Sequence, residues 1–174
     1  MADPQDHGAV DRNSVPLLNF RSLYSKGGPV SQKMLFGGCL CGSIRFEVTG
    51  RPSTIANCHC TMCRRASGGA FLPYAAYETA QVRFTGMEPA RYRSSNEAFR
   101  GFCAKCGSSL FFAYAAEPGR IWMTLGCFDD AAAHEPGENW YTGDKLPWTH
   151  LDDRLTNWVS APDWVAERTA RPKE

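Results

Sequence analysis

From residue 34 onward the chain falls into short stretches in which apolar and polar positions alternate. Ile44-Arg45-Phe46-Glu47-Val48 is the clearest; a period of two puts its apolar residues on one face, as a half-buried strand requires. Val82-Arg83-Phe84, Arg91-Tyr92-Arg93, Leu110 to Tyr114 and Ile121 to Leu125 carry β-branched or aromatic residues, with Gly, Pro or Asn between them, and are read as further strands. A period of 3.6 is nearly absent through the middle. The best helix signal lies near the C-terminus, where Ser160-Ala161-Pro162-Asp163 offers an N-cap, an early Pro and an acid at N3 before Trp164-Val165-Ala166. The pattern predicts a mainly β fold with short helices from residue 34 onward and a C-terminal extension, 153–174, that reads as helical. Residues 1–33 mix Asp, Asn, Ser, Pro and Gly with scattered apolar positions, so they read as an N-terminal arm without its own core. Docking through Val15, Leu17, Leu18 and Phe20 and disorder are equally open readings of that arm.

A length of 174 residues suits one domain with tails. Hydrophobic residues at 43% and charged residues at 21% exclude a disordered chain. A formal charge of +1 supplies no field for nucleic acid or an anionic membrane, so neither is expected as a partner. The longest candidate spans, residues 66–77 and 106–116, contain Gly, Ser or Pro and fall short of the roughly 18 apolar residues of a spanning helix. No basic segment followed by an apolar one opens the chain, and the expected location is cytoplasmic.

Eight cysteines change the picture, because seven fall into three tight groups: Cys39 with Cys41, Cys58 with Cys60 and Cys63, and Cys103 with Cys106. Reduced thiols so spaced suit zinc better than disulfides. Cys103-Ala104-Lys105-Cys106-Gly107 is a knuckle that supplies two ligands, and Cys39-Leu40-Cys41-Gly42 is the natural second pair; Gly37, Gly38 and Gly42 permit the chain to bend there. Together they make a closed, structural four-thiolate site. Cys58-His59-Cys60-Thr61-Met62-Cys63 offers three thiolates from one loop and the start of a helical turn. Three ligands with an open position are the arrangement of catalytic zinc, and a site of net charge about −1 suits presentation of another thiolate, so a small thiol is the expected substrate. The competing reading is a second closed site with His59 as fourth ligand, although a residue between alternating ligands points away from them. Arg64 and Arg65 are candidates for binding an anionic cosubstrate there, against the plainer reading of a solvated helix face. Ser67-Gly68-Gly69-Ala70-Phe71 reads equally as backbone that approaches a ligand or as a turn. Cys127 reads as a small buried hydrophobe, and His134 and His150 as surface residues.

The stretches from Gly37 to Phe46, from Cys58 to Arg64 and from Phe102 to Ser108, with Gly126 to Asp130 and Leu146-Pro147-Trp148 behind, resemble the glutathione-dependent formaldehyde-activating enzyme family, which includes centromere protein V. The resemblance covers residues 34–152 and implies an Mss4-like zinc-bound β-sheet fold. It implies two Zn²⁺ per chain, one on Cys39, Cys41, Cys103 and Cys106 and one on Cys58, Cys60 and Cys63. It also implies a carbon-sulfur lyase-type enzyme that adds glutathione to formaldehyde. The alternative is a non-catalytic zinc module that binds protein, as centromere protein V and Mss4-like chaperones suggest.

Overall fold

The structure is a computed structural model that describes residues 34–165. The expected arm, 1–33, and the C-terminal helix beyond residue 165 lie outside the described residues. Alternation in Ile44-Arg45-Phe46-Glu47-Val48 does produce a strand, β2 (Ile44–Thr49), with Ile44, Phe46 and Val48 buried. It pairs antiparallel with β1 (Met34–Gly38) and β5 (Val82–Gly86) in a three-stranded sheet of order β1-β2-β5. The remaining strands form one larger sheet: β3 (Thr54–Cys58), β4 (Leu72–Glu78), β6 (Ala90–Arg93), β7 (Ala98–Phe102), β8 (Ser109–Tyr114), β9 (Arg120–Thr124), β10 (Glu138–Trp140) and β11 (Thr156–Asn157). Their order is β11-β10-β3-β4-β9-β8-β7-β6. All pairs are antiparallel except β10, which runs parallel to β3 and β11. The fold is mainly β, and no helix among the described residues is long and apolar enough to cross a membrane.

Two apolar clusters share the central strands. One joins Ile44, Phe46 and Val48 of β2 to Ala75, Tyr77, Ile121 and Met123, and so packs the small sheet on the large one. The other covers the opposite face of the same strands with Leu72, Tyr74, Ala76, Phe112, Trp122 and Trp140. Because β4 and β9 are buried on both faces, their sequences are continuous apolar runs instead of alternating ones. Pro73, which argues against a central strand, explains why β4 lay outside the predicted strands. A register shift at Gly101/Phe102 places Phe102 opposite Ser109 and Gly101 opposite Phe111. Leu110 is therefore the extra residue of a bulge, and both Leu110 and Phe111 enter the first cluster.

Residues 153–165, read as an extension, lie against this sheet: β11 extends it, and Trp158 donates its backbone N–H to Asn139 at 2.8 Å. The C-terminal helical turn starts at residue 163, one residue after Pro162, with buried Val165 in the second cluster.

Candidate metal centres

The first cysteine group is assembled from two hairpin ends. Cys39 and Cys41 lie in the turn between β1 and β2, and Cys103 and Cys106 in the turn between β7 and β8. Each turn is closed by a glycine N–H: Gly42 donates to Cys39 O three residues back at 3.0 Å, and Gly107 to Cys103 O four residues back at 2.8 Å. Both glycines hold a positive φ, 73° and 76°, which the absence of a Cβ makes accessible. Leu40 N donates to Ser108 Oγ at 3.0 Å and ties one turn to the other. Gly37 and Gly38 serve a different purpose from the bending expected of them. They belong to β1, and a Cβ on Gly37 would stand 2.2 Å from the Phe46 ring and 2.3 Å from Cys127 O.

The four sulfurs lie within 4.8 Å of one another, with Cys39 to Cys41 at 3.6 Å and Cys41 to Cys103 at 3.8 Å. Tetrahedral zinc with Zn–S of about 2.3 Å spaces its sulfurs about 3.8 Å apart, so the residues present fit that ion. Hydrogen bonds to Ser108 hold the Cys106 thiol down at about 5, which favours the thiolate a metal needs.

The second group comes from the end of β3 and the helix that follows it, α1 (Thr61–Ser67). Cys60 is the N-cap residue, and its Sγ accepts from Cys63 N at 3.4 Å, which folds the loop so that Cys58, Cys60 and Cys63 sulfurs lie within 4.8 Å of one another. All three are buried. Hydrogen bonds from Cys58 and Cys63 hold Cys60 down at about 2, while hydrogen bonding to Cys60 and Cys63, with burial, pushes Cys58 far up. For Cys63 the bond with Cys58 pulls down, but the bond to Cys60, burial and the Cys60 charge together raise it. Three sulfurs this close together could hold one metal ion.

His59 stands apart from that set. Its Nε2 lies 3.4 Å from Asn139 Oδ1 and its ring packs on Phe71, and among the described residues no fourth His, Cys, Asp or Glu joins the three sulfurs. Ser67 and Gly68 end the helix: Gly68, at φ 72°, donates to Arg64 O at 2.8 Å. Cys127 joins neither group; it donates to Ser109 O at 3.3 Å, and burial pushes it up to about 11. His134, expected at the surface, is buried, with Nε2 at 2.8 Å from Tyr77 Oη and its ring on Phe128. Its loop folds back over the first cluster, a long-range packing event that local polarity does not encode. His150 is exposed.

The three cysteines are among the residues that line a cavity of about 230 Å³. Its wall includes Tyr74, Phe112, Tyr114, Trp122, Trp140 and Tyr141. The arginine that faces it is Arg100 on β7, which donates to Tyr74 Oη at 3.0 Å and to Cys63 Sγ at 3.6 Å. Burial draws its pKa down, but the facing Tyr74 and Cys63 groups raise it overall. Burial, then the Cys63 charge, pushes Tyr74 well above the usual phenol range. Arg64 and Arg65 lie outside the lining; Arg64 donates to His59 O at 3.2 Å and to Thr61 Oγ1 at 3.4 Å at the cavity's edge. Arg100 carried no local signal: it sits 37 residues from Cys63 in a strand whose pairing alone brings it there.

The family described as "Glutathione-dependent formaldehyde-activating enzyme" matches residues 34–144. An uncharacterised lyase of Schizosaccharomyces pombe is 32% identical over 78 residues, which cover 45% of this chain and 56% of that protein. The chain thus spans little more than half the length of that relative. A Halomonas elongata protein whose name proposes a glutathione-dependent formaldehyde-activating enzyme is 30% identical over 132 residues, 70% of this chain and 83% of that one. A crystal structure of a Rhodobacter sphaeroides protein, 18% identical, covers 71% of this chain and 98% of its own, with a TM-score of 0.46.

Proposed function

The chain belongs to the glutathione-dependent formaldehyde-activating enzyme family, and on that premise we propose that it is a zinc-dependent, carbon-sulfur lyase-type enzyme that adds glutathione, or another small thiol, to formaldehyde or a related small electrophile. What supports this reading is the trio Cys58, Cys60 and Cys63: three sulfurs with no fourth protein ligand among the described residues, on the lining of a cavity. Zinc on those residues would supply a Lewis-acidic position at which a thiol stays ionised at neutral pH. Cys39, Cys41, Cys103 and Cys106 would hold a second, structural zinc.

The protein's own groups then have distinct tasks. Arg100 holds positive charge beside Cys63 and the cavity, where it would stabilise the negative charge that develops on the electrophile's oxygen. The aromatic rings of the wall give the cavity beside the sulfurs a mostly apolar lining. Arg64, anchored on Thr61 at the edge, and Arg65 would meet the charged ends of glutathione outside the cavity. The addition balances: sulfur bonds to carbon, the carbonyl pair moves to oxygen, and the thiol's proton ends on that oxygen.

The test is the rate of S-hydroxymethylglutathione formation by zinc-replete protein, measured as the excess over a protein-free control and over Cys60→Ser. An excess lost in that variant is the expected result. If no small thiol binds and no excess rate appears, a zinc-bound module that recognises protein becomes the better account.

A further inference from the structure

The thiol-addition reading above leaves the cavity beyond the sulfurs unexplained, and the inference here rests on that reading. Formaldehyde has two non-hydrogen atoms. A volume of about 230 Å³ would hold roughly eight waters at about 30 Å³ each. A two-atom aldehyde would leave most of this largely apolar wall facing water instead of ligand, without the gain from covering apolar surface.

The wall is built of rings already in contact. Tyr74 meets Phe112 edge-on at 4.7 Å, Phe112 stacks on Trp122 at 5.4 Å, and Trp122 meets Trp140 edge-on at 5.1 Å. Such a wall is preformed and receives a flat apolar ligand without rearrangement. Trp122 adds a buried Nε1–H with no hydrogen-bond partner among the described residues. Tyr141 completes the ring set from a backbone at φ 57°, a conformation that for a bulky residue often accompanies function.

Charge decides which reactant enters. The charged side chains on the lining are Arg100, already bonded to Tyr74 and Cys63, and Asp144. Glutathione has two carboxylates and one ammonium, and burying them against rings without partners is costly. Only its thiol end suits the cavity, so the ring-lined space is left to the electrophile.

We infer that the electrophile is an aldehyde bearing a single aromatic ring, seated among Tyr74, Phe112, Tyr114, Trp122, Trp140 and Tyr141 with its carbonyl carbon toward the sulfurs of Cys58, Cys60 and Cys63. The thiol sulfur bonds to that carbon, the π pair moves to oxygen, and the proton released by the thiol returns there to give a hemithioacetal. No oxidant, reductant or third reactant is needed.

The experiment uses the full chain in its zinc form and its cobalt-substituted form. Benzyl alcohol, which cannot react, should change tryptophan fluorescence and bind at least tenfold more tightly than 1-propanol. With glutathione, kcat/KM for phenylacetaldehyde, after subtraction of the protein-free rate, should exceed that for propanal and for formaldehyde at least tenfold. Tyr141→Gly removes a ring at a position where glycine accepts the backbone. It should raise KM for phenylacetaldehyde at least fivefold while the sulfur-to-cobalt absorption produced by glutathione persists. If glutathione still produces that absorption but propanal and formaldehyde match or exceed phenylacetaldehyde, the aromatic substrate is wrong and thiol addition stands. If no thiol alters the cobalt spectrum, thiol addition fails, and a benzyl alcohol affinity no better than that of 1-propanol then overturns the aromatic site as well.

Discussion

Arg100 and Gly101 are adjacent and act on opposite clusters, which makes them the sharpest tests of the structure. Gly101 lies under the Phe111 ring, where a Cβ would stand 2.0 Å from a ring carbon. Gly101→Ala should cost about 1 to 3 kcal/mol by overpacking, a fall in Tm of several degrees by calorimetry; an unchanged Tm would contradict the bulged β7–β8 register. Arg100 and the pair Arg64 and Arg65 separate by thiol. Replacing Arg64 and Arg65 together with Ala should weaken glutathione, since charge-assisted contacts are worth about 1.5 to 3 kcal/mol each, but leave 2-mercaptoethanol unaffected in calorimetry. Arg100→Gln should lower kcat with either thiol. Equal losses for both thiols in the double variant would remove Arg64 and Arg65 from the carboxylate role. Arg64 and Arg65 were candidates from the sequence because they follow Cys63 directly; Arg100 was not, because only strand pairing brings it beside Cys63.

At the scale of elements, the two cysteine groups hold different kinds of structure. The four-sulfur group clips the β1–β2 hairpin of the small sheet to the β7–β8 hairpin of the large one. The three-sulfur group sits within one local segment, the end of β3 and the start of α1. Cys106→Ser should therefore lose much of the folding free energy of a structural zinc, which reaches roughly 10 kcal/mol in small zinc domains, and Cys60→Ser should unfold near the parent temperature. Thermal scans of both zinc-loaded variants check this, and equal collapse would end the division into structural and reactive centres. Element legibility followed the same logic. β2, β5, β6, β8 and β9 were evident from alternation or β-branched and aromatic content; β3 and β10 were not, because they pair in the interior of the large sheet with few charged residues to mark an outer face.

For the molecule as a whole, seven clustered thiols predict two zinc ions. Seven thiolates with two Zn²⁺ shift the formal charge by about −3. Native mass spectrometry with elemental analysis should find two metals per chain, and one would refute the four-plus-three division. Because each thiol must be deprotonated to bind, metal-linked stability should be present at neutral pH and fall as acid protonates the ligands. Zinc release followed by a colorimetric chelator during acidification should accompany loss of near-UV circular dichroism, as the clip between the sheets opens.

Cysteine spacing, turn glycines and alternation by themselves determined the fold class and the composition of both sulfur groups, because a ligand pair two or three residues apart and a period of two are local geometry. The tertiary structure alone decided what surrounds those groups. Cys39 and Cys41 meet Cys103 and Cys106 across about sixty residues in the structure (62 between Cys41 and Cys103), as the spacing had suggested. The cavity wall had no such signature. Its rings come from β4, β8, β9 and β10 and the turn after β10, and each reads in sequence as an ordinary core aromatic. A void between packed side chains depends on strand order and register, which no stretch of sequence encodes on its own.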